Sequence, residues 1–260
     1  MHLRRTLTLS VVAIALLPGP AYAGNHKPRT TTPATYDVSY PQCGKTLPGP
    51  IDGGIVGVNG GLVYSVNSCL ATEYAWAAKA TTYAPAFYAN TGNPGPAYSS
   101  HWPTGQQLPQ VCDGTNSEAC SYDYGYNAAQ DSFAHAAAVT STAATRTWWL
   151  DVETGNSWET LESAYGQTPA DQANDRASIA GAVAALHDAG VTTVGVYSTS
   201  YQWGQITGGS GTQFVEQPVW VAGAGSLSTA KSNCSSTSFT GGRMTLAQYA
   251  SNGYDADVHC

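Results

Sequence analysis

Charge is scarce in this chain. Only 10% of its 260 residues are charged, acids outnumber bases by 17 to 10, and the formal net charge is −7. A surface so sparse in bases offers phosphates few counterions, which argues against nucleic acid as a partner. Neither a C-x-x-C nor an H-x-x-x-H spacing occurs, so no zinc site is expected. A calcium site needs more gathered oxygen ligands than the acidic motifs supply. Without a G-x-S-x-G elbow the serine-hydrolase arrangement is also excluded. Internal repeats and coiled-coil heptads are lacking too, so the chain reads as a globular domain.

What is present begins with the N-terminus. Met1-His2-Leu3-Arg4-Arg5 is followed by an apolar run from Leu7 to Leu17, then Pro18-Gly19-Pro20 and the small-residue site Ala21-Tyr22-Ala23. The run is too short to span a bilayer and has the three-part form of an export signal, predicted to occupy residues 1–23. Arg4-Arg5 leaves both the Sec and the twin-arginine routes open. Either route implies a secreted protein with no membrane segment after cleavage. Residues 24–35 are polar, rich in Pro and Thr, and lack apolar periodicity, so they read as a leader preceding a single domain over 36–260. That domain is of a size common for one α/β barrel, and a single chain is expected to suffice.

Six cysteines, an even number in an exported chain, point to disulfides. Loop order favours Cys43 with Cys69, Cys112 with Cys120, and Cys234 with Cys260, the last tying down the end of the chain. Polarity comes mostly from Ser, Thr, Asn, Gln and Gly, alongside 16 Tyr and 7 Trp. Flat rings and amides suit sugar faces and hydroxyls, although many exported proteins share this mix.

Strand patterns occur at Thr35–Ser39, Gly54–Asn59, Pro85–Ala89, Thr145–Glu153, Thr192–Ser198, Val219–Ala222 and Thr245–Tyr249. Helical patterns lie between several of them, clearest over Pro169–Ala189 and present near Ala71–Lys79 and Ala128–Val139. Strands alternating with helices imply a parallel sheet, and this many predict closure into a barrel. After Gly223 the sequence turns Ser- and Thr-rich without an amphipathic helix, so some of the last strands are expected to run antiparallel. The Gly-, Pro- and Tyr-rich stretch Thr91–Tyr126 exceeds an ordinary barrel loop and is expected over the mouth of the site.

The most informative segment is Trp148-Trp149-Leu150-Asp151-Val152-Glu153, an apolar strand that runs into two acids. Residues i and i+2 of a strand share a face, so Asp151 and Glu153 should project together. Paired carboxyl groups on one wall are what glycoside hydrolysis requires. Asp37 closes the first strand, and Asp255 and Asp257 accompany the last segment. Convergence of these acids on one pocket would raise at least one carboxyl pKa by like-charge repulsion, as a general acid requires. Asp255 is the one that reads best as an ordinary turn residue. Trp148 and Trp149 should point to opposite faces, and His101, His135 and His187 read as structural or exposed.

Asp37-Val38-Ser39 with Gln42, then Asp151-Val152-Glu153, then Gly195-Val196-Tyr197-Ser198 with Trp203, then Val219-Trp220-Val221-Ala222, and finally Gln248-Tyr249 before Asp257-Val258-His259 together resemble glycoside hydrolase family 25, the Chalaropsis-type lysozymes. The resemblance implies an irregular TIM-type α/β barrel with helices missing in its C-terminal third. It implies cleavage of the β-1,4 bond between N-acetylmuramic acid and N-acetylglucosamine in peptidoglycan, without metal or cofactor. Carried across, Glu153 takes the place of the general acid and Asp151 that of the acid that orients substrate or stabilises the transition state. Asp37 and Asp257 take the flanking places, while Tyr197, Trp220 and Tyr249 are positioned to stack on sugar. Two departures are visible: the second strand ends Val58-Asn59-Gly60-Gly61, where the family carries a Lys-x-x-Glu-Gly-like stretch, and His259 stands where Asn is usual. They keep open a different class of function, a non-catalytic cell-wall or polysaccharide-binding protein on the same barrel.

Overall fold

A computed structural model describes residues 34–159, 166–209 and 212–260. The expected export signal and all of the leader except its last two residues lie outside them. Ala34 and Thr35 belong to the first strand, so the last two residues of the segment expected to be leader are part of the barrel.

Eight strands form a closed barrel in sequence order. They are β1 (Ala34–Val38), β2 (Ile51–Gly57), β3 (Ala86–Asn90), β4 (Trp148–Asp151), β5 (Val194–Ser198), β6 (Val219–Ala224), β7 (Met244–Ser251) and β8 (Tyr254–His259). Neighbours from β1 to β7 pair in parallel. The eighth strand is antiparallel to both β7 and β1 and closes the barrel. A short turn through Asn252 and Gly253 is enough to reverse the chain there, whereas a parallel crossover needs a dozen or more residues.

Helices α1 (Leu70–Ala77), α2 (Glu118–Val139) and α3 (Pro169–Asp188) cover the first half of the barrel. The expected thinning toward the C-terminus takes the form of two short helices, α4 (Ser200–Thr207) and α5 (Leu227–Asn233), with none between β7 and β8. The start of α3 is written locally: Thr168 accepts from the Asp171 amide, Asp171 returns a bond to the Thr168 amide, and Pro169 occupies the first turn. By contrast, α2 starts ten residues before its expected beginning. The segment Glu118–Asn127 holds Gly125, Asn127 and three tyrosines, all mediocre helix formers, so its helicity is imposed by packing. Gly125 and Gly181 make that packing possible: a Cβ on Gly181 would lie 2.0 Å from the Tyr122 carbonyl oxygen, so α2 and α3 cross backbone to backbone.

Alternation along the strands makes two cores. Trp148, Leu150, Val56, Phe87 and Val196 face outward to the helices, where Ile179 and Leu186 meet them. Trp149, Ile55, Ala86, Trp220 and Leu246 fill the barrel interior with Tyr88 and Tyr197. The two tryptophans thus face opposite ways, as the strand period requires. Above this interior plug, at the C-terminal ends of the parallel strands, the barrel is open.

All three expected disulfides are present, Cys43–Cys69, Cys112–Cys120 and Cys234–Cys260. The long segment after β3 contributes no residue to the lining of the cleft at the barrel mouth. Trp102 and Cys112 are buried against Cys120 and Tyr124 of α2, with Val63 and Tyr64 alongside, so its apolar residues fasten it to α2 and to the loop after β2.

Candidate active site

The open end of the barrel holds a cleft of about 180 Å³ lined by Asp37, Asp151, Glu153 and Asp255, with Tyr88, Tyr197, Trp220 and Gln248 as its main other walls. Asp37 comes from the end of β1, Asp151 from the last position of β4, and Glu153 from two residues beyond. Among the described residues no Lys or Arg pairs with any of these carboxylates. The acids are therefore not neutralised as structural ion pairs.

Asp151 is the most constrained of them. It is 5% exposed. Its Oδ2 accepts from Asn90 Nδ2 at 2.7 Å, and Asn156 Nδ2 donates to its backbone oxygen at 2.9 Å. Asn59 Oδ1 accepts the Asn90 amide at 3.0 Å and so holds that residue in turn. The departure at the second strand is thus occupied by a buried amide that braces the site from below. Burial, then the neighbouring charge of Glu153, raises the Asp151 pKa well above the ordinary carboxylate value.

Glu153 is half-buried. Its backbone oxygen accepts from Trp158 Nε1 at 2.7 Å, and its Oε1 accepts from Gln202 Nε2 at 3.1 Å.

On the opposite wall Asp37 accepts from Gln248 Nε2 at 3.1 Å, and Tyr197 donates its hydroxyl to Gln248 Oε1 at 2.9 Å. Burial and the charge of Asp255 push the Asp37 pKa up to about 7, against the lowering effect of the Gln248 bond. Tyr197 is held as a neutral phenol, first by burial and then by the charges of Glu153, Asp37 and Asp151.

Two expected site residues take different places. Asp257 does not line the cleft: it is 5% exposed and accepts from Trp220 Nε1 at 2.7 Å, with burial and the charge of Asp37 raising its pKa. Asp255 holds the rim position in its stead, paired with Asp37 across the β1–β8 ladder. The reason is strand direction: an antiparallel β8 enters at the barrel mouth, so its first acid is nearest the cleft and His259 finishes at the far end, stacked on Tyr83. Tyr249 is absent from the cleft as well. Its neighbour Gln248 points inward, so Tyr249 faces out and packs with Ala224, Ala230 and Ala247. Trp220 lines the cleft but is 1% exposed, with Tyr197 4.4 Å away between ring centroids, so it is chiefly a packed wall. Trp203 is a packing residue against Phe214 and Phe239.

Of the expected histidines, His101 stacks on Tyr64, His187 bonds the Val191 carbonyl oxygen, and His135 pairs with Asp131 at 3.4 Å. None lines the cleft.

Comparison with solved structures places this architecture. A muramidase from Trichobolus zukalii superposes with a TM-score of 0.53 at 18% identity, over 88% of this chain and 94% of that one. A family GH25 lysozyme from Aspergillus fumigatus gives 0.52 at 16% identity, over 88% and 95%. The chain shares the barrel fold of these lysozymes. The autolysin LytC from Streptococcus pneumoniae, solved with a synthetic peptidoglycan ligand, shares the lysozyme fold at a TM-score of 0.51 and 15% identity, over 86% of this chain and 46% of its own. The family described as lysozyme-like protein 1 matches residues 118–241, a stretch that contains Asp151 and Glu153. No curated protein matches the chain in sequence.

Proposed function

We propose that the protein is a secreted muramidase that hydrolyses the β-1,4 bond between N-acetylmuramic acid and N-acetylglucosamine in peptidoglycan. The observation that carries this reading is the gathering of Asp37, Asp151, Glu153 and Asp255 in one open cleft, with no basic partner among the described residues. The lysozyme fold and the family match over residues 118–241 support the substrate class. Disulfides at all six cysteines suit an extracellular protein, and the N-terminal pattern supports export.

In this mechanism Glu153 gives its proton to the leaving glycosidic oxygen as the bond to the anomeric carbon breaks. Positive charge then develops on the sugar ring, and the nearby carboxyl groups of Asp151 and Asp37 stabilise it in their ionised forms. Water supplies the new oxygen at the anomeric carbon, and the proton it gives up restores the carboxyl group of Glu153. Asp255 adds negative charge at the rim, and Tyr197 presents one ring face to the sugar while its hydroxyl holds Gln248. Asp257 acts from below by accepting from Trp220 Nε1, which fixes that ring.

The test is to incubate purified protein with peptidoglycan, and separately with a chitin-type polymer, and to measure new reducing ends. Wild type is expected to release them from peptidoglycan, and Glu153→Gln is expected to lower the rate by about two to four orders of magnitude, the usual contribution of a general acid. Equal rates for wild type and Glu153→Gln overturn the acid assignment. Binding to wall polymer by both proteins with release by neither establishes the non-catalytic binding protein instead.

A further inference from the structure

Gln202 lies on the first turn of α4, directly after β5, and no acid–base chemistry is open to its amide. Yet it is held by four hydrogen bonds at three atoms. Its backbone amide donates to the Thr199 hydroxyl at 3.1 Å, which caps the helix. Its side-chain oxygen accepts from the Thr154 amide at 2.6 Å and from the Thr154 hydroxyl at 3.1 Å. With that oxygen committed to two donors, the orientation of the side-chain amide is fixed by its partners. The remaining nitrogen faces Glu153 Oε1 at 3.1 Å.

We infer that Gln202 is a positioning residue for Glu153, holding one carboxyl oxygen so that the other is presented to the leaving glycosidic oxygen. The inference rests on the reading of Glu153 as the acid. A glutamate has three rotatable side-chain bonds, and Glu153 lies past the end of β4, where the ladder no longer fixes it. Among the described residues nothing else holds the carboxyl group, because Trp158 and Asn156 both donate to the backbone oxygen of Glu153. The N–H of Gln202 is the tether. Such a tether restricts the carboxyl to an orientation from which proton transfer is short, and small misplacements of a reacting group are costly in rate.

Gln202→Glu separates this role from simple scaffolding. A glutamate there keeps an acceptor for the Thr154 amide and hydroxyl, so the link between α4 and the loop survives, but it replaces the donor facing Glu153 with a like charge. Wild type, Gln202→Glu and Gln202→Ala are compared for kcat, KM and pH profile on soluble peptidoglycan fragments, with thermal melting as a check on folding. The expected result is a kcat lower by about 10- to 100-fold in both variants, with KM within about twofold, the scale of a misplaced catalytic group. In Gln202→Glu the alkaline limb should also move up by about one pH unit, as a neighbouring carboxylate requires. Titration of the Glu153 carboxyl by ¹³C NMR gives a readout independent of turnover, and its midpoint should rise in Gln202→Glu relative to wild type. Wild-type kcat and pH profile in Gln202→Glu, a change confined to KM, or an unmoved carboxyl titration overturns the inference. These failures are distinct from failure of the muramidase reading, which shows itself as a Glu153→Gln variant as active as wild type and takes this inference down with it.

Discussion

Asp37→Asn should make the protein more stable at pH 8 and leave it nearly unchanged at pH 4. In the folded chain Asp37 binds its proton with a pKa of about 7, against 3.8 for the free group, because it is buried in the barrel mouth beside the charge of Asp255. The native state therefore holds more protons than the unfolded state between these two values. Where that is so, stability falls as pH rises, so the cost of Asp37 is absent below about pH 4, grows through the window, and is complete above pH 7. Three pH units correspond to about 4 kcal/mol at most. Part of the proton is shared with the neighbouring acids, so the effective figure is about 1–3 kcal/mol. Asparagine has nearly the same shape and still accepts from Gln248 Nε2 through its amide oxygen, so the substitution removes the charge and little else. For a domain of this size 1 kcal/mol moves Tm by about 2–4 °C, which gives an expected rise of about 3–10 °C at pH 8. The assay is calorimetric melting of both proteins at pH 4 and pH 8. An equal shift at the two pH values, or a lower Tm for the variant at pH 8, refutes the burial argument. Peptidoglycan cleavage should fall in the same variant, since a strained functional charge is being exchanged for stability.

Other perturbations probe the frame around the cleft. Trp220→Phe removes the 2.7 Å donor to the buried Asp257 and should cost about 1–3 kcal/mol in urea unfolding, with a larger loss at high pH; an unchanged midpoint would show that this bond is dispensable. Gly181→Ala brings a methyl group to 2.0 Å from the Tyr122 carbonyl oxygen, where only backbone can yield, so α2 and α3 must separate and stability should drop by about 1–3 kcal/mol or more; a variant melting like wild type refutes the close crossing. Replacing Cys234 and Cys260 together opens a 26-residue link that fastens β8 to α5, and loop entropy predicts a loss of about 3 kcal/mol, read as a lower Tm that reducing agent no longer shifts as far as in wild type.

The parts of this protein that depend on short-range pattern were legible from the chain alone. Trp148 to Glu153 announces a strand with alternating faces and two acids at its exit, Thr168-Pro169 with Asp171 announces a helix start, and the cysteine order announces the disulfides. The strand and the helix start rest on a period and a cap spanning a few residues, which no distant contact needs to specify, while the disulfides follow the order of the cysteines along the chain. Strand direction and register belong to the tertiary structure. Whether Asp255 or Asp257 reaches the cleft depends on β8 running antiparallel between β7 and β1, and Tyr249 faces outward because its register on β6 and β8 turns Gln248 inward. The amides that brace the acids were invisible for the same reason: Asn59, Asn90 and Gln202 are ordinary letters far from their partners in the chain, and only closure of the barrel brings each within hydrogen-bond distance, Asn59 as acceptor and the other two as donors. Local sequence chose the residues that can do acid chemistry, and long-range packing chose which of them meet water and which are held beneath, because burial and charge proximity are set by neighbours that the chain brings together only when folded.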